Sequence, residues 1–106
     1  MADTSAYSGT YTADTETDLY VNTSGTLKTV VYSIGVYNPE TATKAVEIWI
    51  TDGSNAHKQC IGNFSITTLA HVENQTRYRI LPGYKIRFKS AHANVKFDAQ
   101  LYEGVA

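Results

Sequence analysis

Cysteine is almost missing from this chain. Cys60 stands alone, so no internal disulfide can form, and 106 residues must close one hydrophobic core without a covalent staple. A leader is missing too: MADTSAYSGTYTADTETD has neither a basic n-region nor an apolar h-region, which predicts folding in the cytoplasm. The acceptor triplets at Asn22, Asn63 and Asn74 then read as coincidence in a chain rich in Asn, Ser and Thr, because glycosylation needs a secretory route. No apolar run approaches membrane-spanning length, so a soluble protein with no membrane partner is expected. Excess charge is lacking as well: nine basic and ten acidic residues leave a formal net charge of -1, and no global field exists to gather a polyanion.

Helical periodicity is absent, and period-two alternation of β-branched and aromatic residues takes its place from residue 17 to the end. Strands are predicted over residues 17–22, 27–37, 45–51, 76–80, 84–90 and 94–103, with one or two more inside 58–75. Turn clusters separate them, such as Asn38-Pro39-Glu40 and Pro82-Gly83. Seven or eight short strands in about a hundred residues predict an all-β, antiparallel β-sandwich of jelly-roll type. Residues 17–106 form its single domain. Residues 1–16 are read as an N-terminal arm or edge strand. Tyr7 and Tyr11, four apart, share one side of an extended segment and are expected to dock on a neighbouring subunit.

The run RYRILPGYKIRFK, residues 77–89, mixes five basic residues with three aromatic ones, a mixture that suggests a nucleic-acid surface. Alternation separates the two kinds: Tyr84, Ile86 and Phe88 share one face of their strand, and Lys85, Arg87 and Lys89 the other. Tyr78 and Ile80 likewise oppose Arg77 and Arg79. A stacking platform needs rings and charge on the same solvent face, so nucleic acid is not an expected partner. The two strands also make a poor hairpin. A two-residue loop sets core residues beside solvent ones, and a three-residue loop sets Arg79 opposite Arg87. The Pro-Gly turn is therefore expected to carry the chain from one sheet to the other.

Charge is unevenly divided along the chain. Residues 1–53 hold two basic and seven acidic residues, net -5, and residues 54–106 hold seven basic and three acidic, net +4. This reads either as opposite poles that favour association with further copies or as a solvated mixed-charge surface. Strand parity turns Trp49, Tyr20, Tyr37 and Tyr102 outward, where such rings are typical interface anchors unless a segment of the same chain covers them. Together with Tyr7, Tyr11, Arg77, Arg79, Lys85, Arg87 and Lys89 they form the candidate interface.

Nothing points to catalysis or a cofactor. His57, His71 and His92 show no ligand spacing with Cys60 or a carboxylate. Cys60 reads as a small buried hydrophobe. Asp14, Glu16 and Asp18 alternate like calcium-loop carboxylates without the glycine and closing glutamate of such a loop. No phosphate loop, nucleophile elbow or carboxylate pair is present, so neither an enzyme nor a metal site is expected.

In order, LYVNTSGTLKTVVYSIGVYN, AVEIWIT, LPGYKIRFKSA and NVKFDAQLYE resemble small tailed-bacteriophage virion β-sandwich proteins of the capsid decoration or cement type. The matching residues are Gly25, Thr26, Ile34, Asn38, Ile48, Leu81, Gly83, Ile86, Val95 and Glu103, and the likeness covers about residues 17–103. Its motifs are structural rather than chemical. It implies a virion subunit made in the host bacterial cytoplasm, without catalysis, bound as a dimer or trimer to the major capsid protein or another virion protein. Two competing expectations remain. One is a tail or baseplate component. The other is a carbohydrate-binding sandwich that would use Trp49 with Tyr20, Tyr37 or Tyr102 as a coplanar platform.

Overall fold

The computed structural model describes the backbone of residues 2–106 and the side chains from Asp3 onward. Met1, first residue of the expected arm, lies outside the described residues. Nine strands run through them: β1 (Ala2–Tyr7), β2 (Thr17–Val21), β3 (Lys28–Tyr37), β4 (Lys44–Thr51), β5 (His57–Ile66), β6 (His71–Asn74), β7 (Tyr78–Ile80), β8 (Lys85–Ser90) and β9 (Lys96–Val105). All pair antiparallel, in two sheets. One has the order β1-β9-β3-β6 with β7 also on β3, and the other the order β2-β8-β4-β5. Strand β6 pairs with Ile34–Tyr37 and β7 with Thr29–Val31, so the two short strands lie end to end along the same side of β3. Nine strands thus fill eight places, four to a sheet. The chain is an antiparallel β-sandwich with jelly-roll connectivity.

Six of the eight connections change sheet, and the reason is visible between β7 and β8. Strand β7 pairs with β3 in one sheet and β8 with β2 and β4 in the other, so the two basic strands are not partners. Between them Tyr84 N–H donates to Leu81 O at 2.9 Å, and Gly83 sits at φ 80°, where a side chain would be strained. Two other crossings are secured by buried asparagines. The Asn38 amide donates to Ala42 O, Ile66 O and Thr67 O at 2.9–3.1 Å, and that of Asn22 to Leu27 O and Ile80 O at 3.0 and 2.9 Å. Loops that leave the sheets under cover must satisfy their carbonyls somewhere, and these amides do it.

Inward positions follow the expected parity. Val46, Ile48 and Ile50 of β4, Ile86 and Phe88 of β8 and Phe97, Ala99 and Leu101 of β9 are all buried, with Val95 just ahead of β9. Phe88 and Phe97 stack across the sheets at 4.4 Å between ring centroids. Cys60, expected as a small buried hydrophobe, is exposed instead. Strand β5 bulges there: Ile48 pairs with Gly62 and Trp49 with Cys60, so Ile61 takes the core place and Cys60 turns outward.

The N-terminal segment corrects the docking expectation. Residues 2–7 pair with β9 of their own chain, from Ala2 with Glu103 to Tyr7 with Asp98. Residues 8–16 then strap the end of the sandwich between the sheets. Ser8 N–H donates to Phe97 O at 2.9 Å and Asp14 N–H to Ser90 O at 2.7 Å. Tyr11 is not an interface residue. It is a core residue, edge-on to Phe88 at 4.8 Å, with its single hydroxyl proton shared between Val95 O at 2.5 Å and His92 O at 2.9 Å. Tyr7 and Tyr11 part company because β1 ends between them: Tyr7 stays on the outer face and Tyr11 turns under the strap.

Tyr11→Ala should therefore lower unfolding free energy by about 3–5 kcal/mol, as for other buried aromatics. Tyr11→Phe should cost about 1–2 kcal/mol by taking its donor from Val95 O, since His92 O still accepts from Ser90 Oγ. Urea midpoints measure both. An unchanged midpoint for Tyr11→Ala would show that the strap does not close the core.

Candidate functional site

The two outer faces differ in how they use their charges. On the face of β2, β8, β4 and β5, Arg87 donates from Nε to Asp18 Oδ1 at 2.7 Å and from Nη1 to Glu16 Oε1 at 3.0 Å. Lys85 lies 3.7 Å from Asp18 and 3.0 Å from Asn55 Oδ1, and Lys89 lies 3.9 Å from Glu47. Trp49 projects outward from β4 as expected, but it is not free: His57 stacks on it at 4.1 Å, and its indole N–H donates to Glu47 at 3.1 Å. His57 in turn meets Glu16 at 2.6 Å. This face is knit to itself.

That arrangement corrects the reading of opposite charge poles. Glu16, Asp18, Glu47 and Asp52 of the acidic half pair with Arg87, Lys85, Lys89 and Lys58 of the basic half, and Glu40 meets His92 at 2.6 Å. The halves interleave because β8 lies between β2 and β4. Separation along the chain is cancelled in space. Such exposed pairs contribute little each, but they occupy Lys85, Arg87 and Lys89, which face their own carboxylates rather than a partner.

The face of β1, β9, β3, β6 and β7 is different. Register sets Asp3, Tyr102, Val30 and Arg79 in one row across four strands. Tyr32 lies against Tyr102, ring centroids 5.6 Å apart, and its phenol is pushed up in pKa by desolvation, then by the Asp3 charge and Tyr102. Toward the other end stand Tyr7, 69% exposed, and Tyr37, 40% exposed, the latter between Lys96 and His71 in the register. Gly35 lies between them under the Asp98 carboxylate and the His71 ring, so close that any Cβ would meet Asp98. Arg77 and Arg79 are exposed, and among the described residues neither joins an ion pair.

The candidate interface residues therefore divide. Tyr7, Tyr37, Tyr102 and Arg79 share the β3 face, with Arg77 just ahead of β7. Trp49, Lys85, Arg87 and Lys89 share the β8 face, and Tyr11 is in the core. Tyr20 belongs to neither face. A bulge between Asp18 and Tyr20 turns the ring against the core, and its hydroxyl reaches Glu103 Oε2 and Thr29 Oγ1, both at 2.7 Å. Its one proton goes to the carboxylate, so Thr29 is the donor of the second bond. A coplanar platform of Trp49 with Tyr20, Tyr37 or Tyr102 is thus not formed. Asp3, Val30 and Tyr32 were not singled out by sequence. Counted from the outward Tyr37, parity points Tyr32 inward; the irregularity between Val31 and Ser33 turns it out, and the pairing with β9 brings it to Tyr102.

Among the described residues no three His, Cys, Asp or Glu side chains are placed to hold a metal ion. Between β3, β4, β5 and β6 lies a cavity of about 20 Å³ lined by Ile34, Val36, Ile48, Ile61, Phe64 and Val72, room for about one water in an apolar setting.

The Tyr20 phenol is pushed up to about 12, chiefly by burial and then by the Glu103 carboxylate. The unfolded chain ionises this group near 10, so its stabilising effect is whole below pH 10 and is lost as pH climbs through about 12. Wild-type protein should lose more stability across that window than Tyr20→Phe, since Tyr11 and Tyr32 titrate in both. Denaturation midpoints at either end of the window decide it. Parallel losses would show that Tyr20 is not held neutral by the fold.

Compared with known proteins, the chain matches no family model, no curated protein sequence and no solved structure.

Proposed function

We propose that the chain is a structural subunit of a tailed-bacteriophage particle, a capsid decoration protein that binds the capsid surface as a homo-oligomer and stabilises it. A jelly roll hosts many functions, so the surface rather than the fold carries the reading. The observation that carries it is the contrast between the faces. The charges of the β8 face are paired within the chain, whereas the β3 face presents Tyr7, Tyr37 and Tyr102 to solvent beside Arg79, which joins no ion pair among the described residues. Exposed tyrosines at a rim of polar groups are the composition of protein interfaces. The resemblance of residues 17–103 to virion β-sandwich proteins supports the setting. A sandwich knit on one face and open on the other suits a part that is laid on a lattice. The end bearing Tyr7 and Tyr37 docks on the capsid in this reading.

Virions of the encoding phage should contain the chain in many copies on the capsid exterior, located by reconstruction of the particle. Capsids stripped of it should release their contents at lower temperature and recover on adding it back. Tyr37→Ala should weaken binding to stripped capsids by about tenfold, the range of an interface anchor. A chain absent from virions, or confined to the tail or baseplate, would overturn the capsid assignment.

A further inference from the structure

The row Asp3, Tyr102, Val30, Arg79 is ordered as well as mixed. It begins with a carboxylate on β1, passes an aromatic and an aliphatic side chain on β9 and β3, and ends with a guanidinium on β7. Adjacent strands lie about 4.8 Å apart, so the two charges stand about 14 Å apart with the apolar pair midway. Among the described residues five of the seven carboxylates in residues 1–53 meet a basic side chain within 4.0 Å, His92 included, and Asp3 is one of the two that do not.

We propose that this row is a self-association surface that pairs two copies of the chain about a two-fold axis running parallel to the strands, between β9 and β3. When a face meets its own copy, the axis lies in the plane of contact. An axis along the strands exchanges left and right across the row. It therefore sets Asp3 of each copy over Arg79 of the other and Tyr102 of each over Val30 of the other. An axis across the strands would set Asp3 over Asp3 and Arg79 over Arg79, and like charges so placed repel. The order of the row thus selects one of the two packings. Such an isologous contact repeats each favourable pair twice, which is how a small patch gains from symmetry. Tyr32 widens the apolar centre beside Tyr102.

This names the partner and the surface of the homo-oligomer in the reading above and rests on that reading only for its biological setting. Solution mass of the isolated full chain tests it without a particle, so capsid binding can fail while the pairing holds. Sedimentation equilibrium should give a dimer. Arg79→Asp and Asp3→Arg should each weaken it about tenfold, since two exposed attractive pairs become repulsive. The doubly substituted chain should regain the dimer, because opposite charges face each other again. Tyr102→Ala should weaken it about thirtyfold as loss of a central anchor. Thermal melts confirm that each variant folds. A monomer at all concentrations, a dimer indifferent to the single reversals, or a double variant that is not rescued would overturn the proposal. A monomer whose Tyr102 face binds a glycan on an array would reassign the face and overturn it too.

Discussion

Phe88 and Phe97 hold the two sheets together. They come from consecutive strands, yet they stack across the sandwich at 4.4 Å, one from β8 and one from β9. That contact requires the turn at residues 91–95 to pass from one sheet to the other rather than to close a hairpin. Tyr11 packs edge-on against Phe88, so the N-terminal segment must cross at the same end. Aromatic pairs arranged edge-on or offset contribute beyond the area they bury, and here Tyr11 joins two rings more than seventy residues further along the chain.

Crossing at most connections has an electrostatic consequence. Except for β4 with β5, neighbours in a sheet are not consecutive in the sequence, so the basic β8 lies between β2, with Asp18, and β4, with Glu47. The acidic and basic halves neutralise one another on that face, and Arg87 becomes its hub. Interleaving does not reach the opposite face. There β1 and β7, the outer strands of the row, are separated by β9 and β3, so Asp3 and Arg79 stand too far apart to pair within one molecule. The same topology that pairs the charges of one face leaves Asp3 and Arg79 on the other without an ion-pair partner among the described residues, on either side of tyrosine and valine.

Much of the fold was legible because strand periodicity is strict. The outward turn of Lys85, Arg87 and Lys89, the burial of Ile86 and Phe88, and the separation of β7 from β8 all follow from parity, with no knowledge of partners. Parity failed where a bulge inserts one residue. Leu19 turns Tyr20 toward the core, and the irregularity between Val31 and Ser33 turns Tyr32 outward. A bulge is set by what the neighbouring strand offers, so it leaves no mark in local spacing. Tyr11 was misplaced for a related reason: polar Thr, Ser and Asp surround it, and only the phenylalanines it meets more than seventy residues later make it a core residue.

By itself the sequence determined an all-β chain, the inner and outer faces of its regular strands, and the sheet change at Pro82-Gly83, because each depends on side-chain period and turn chemistry within a few residues. Tertiary structure alone decided which charges are spent and which remain. Asp18 meets Arg87 across 69 residues of chain, while Asp3 and Arg79 are held apart across one sheet. The physical reason is that electrostatic attraction falls with distance in space and takes no account of distance along the chain.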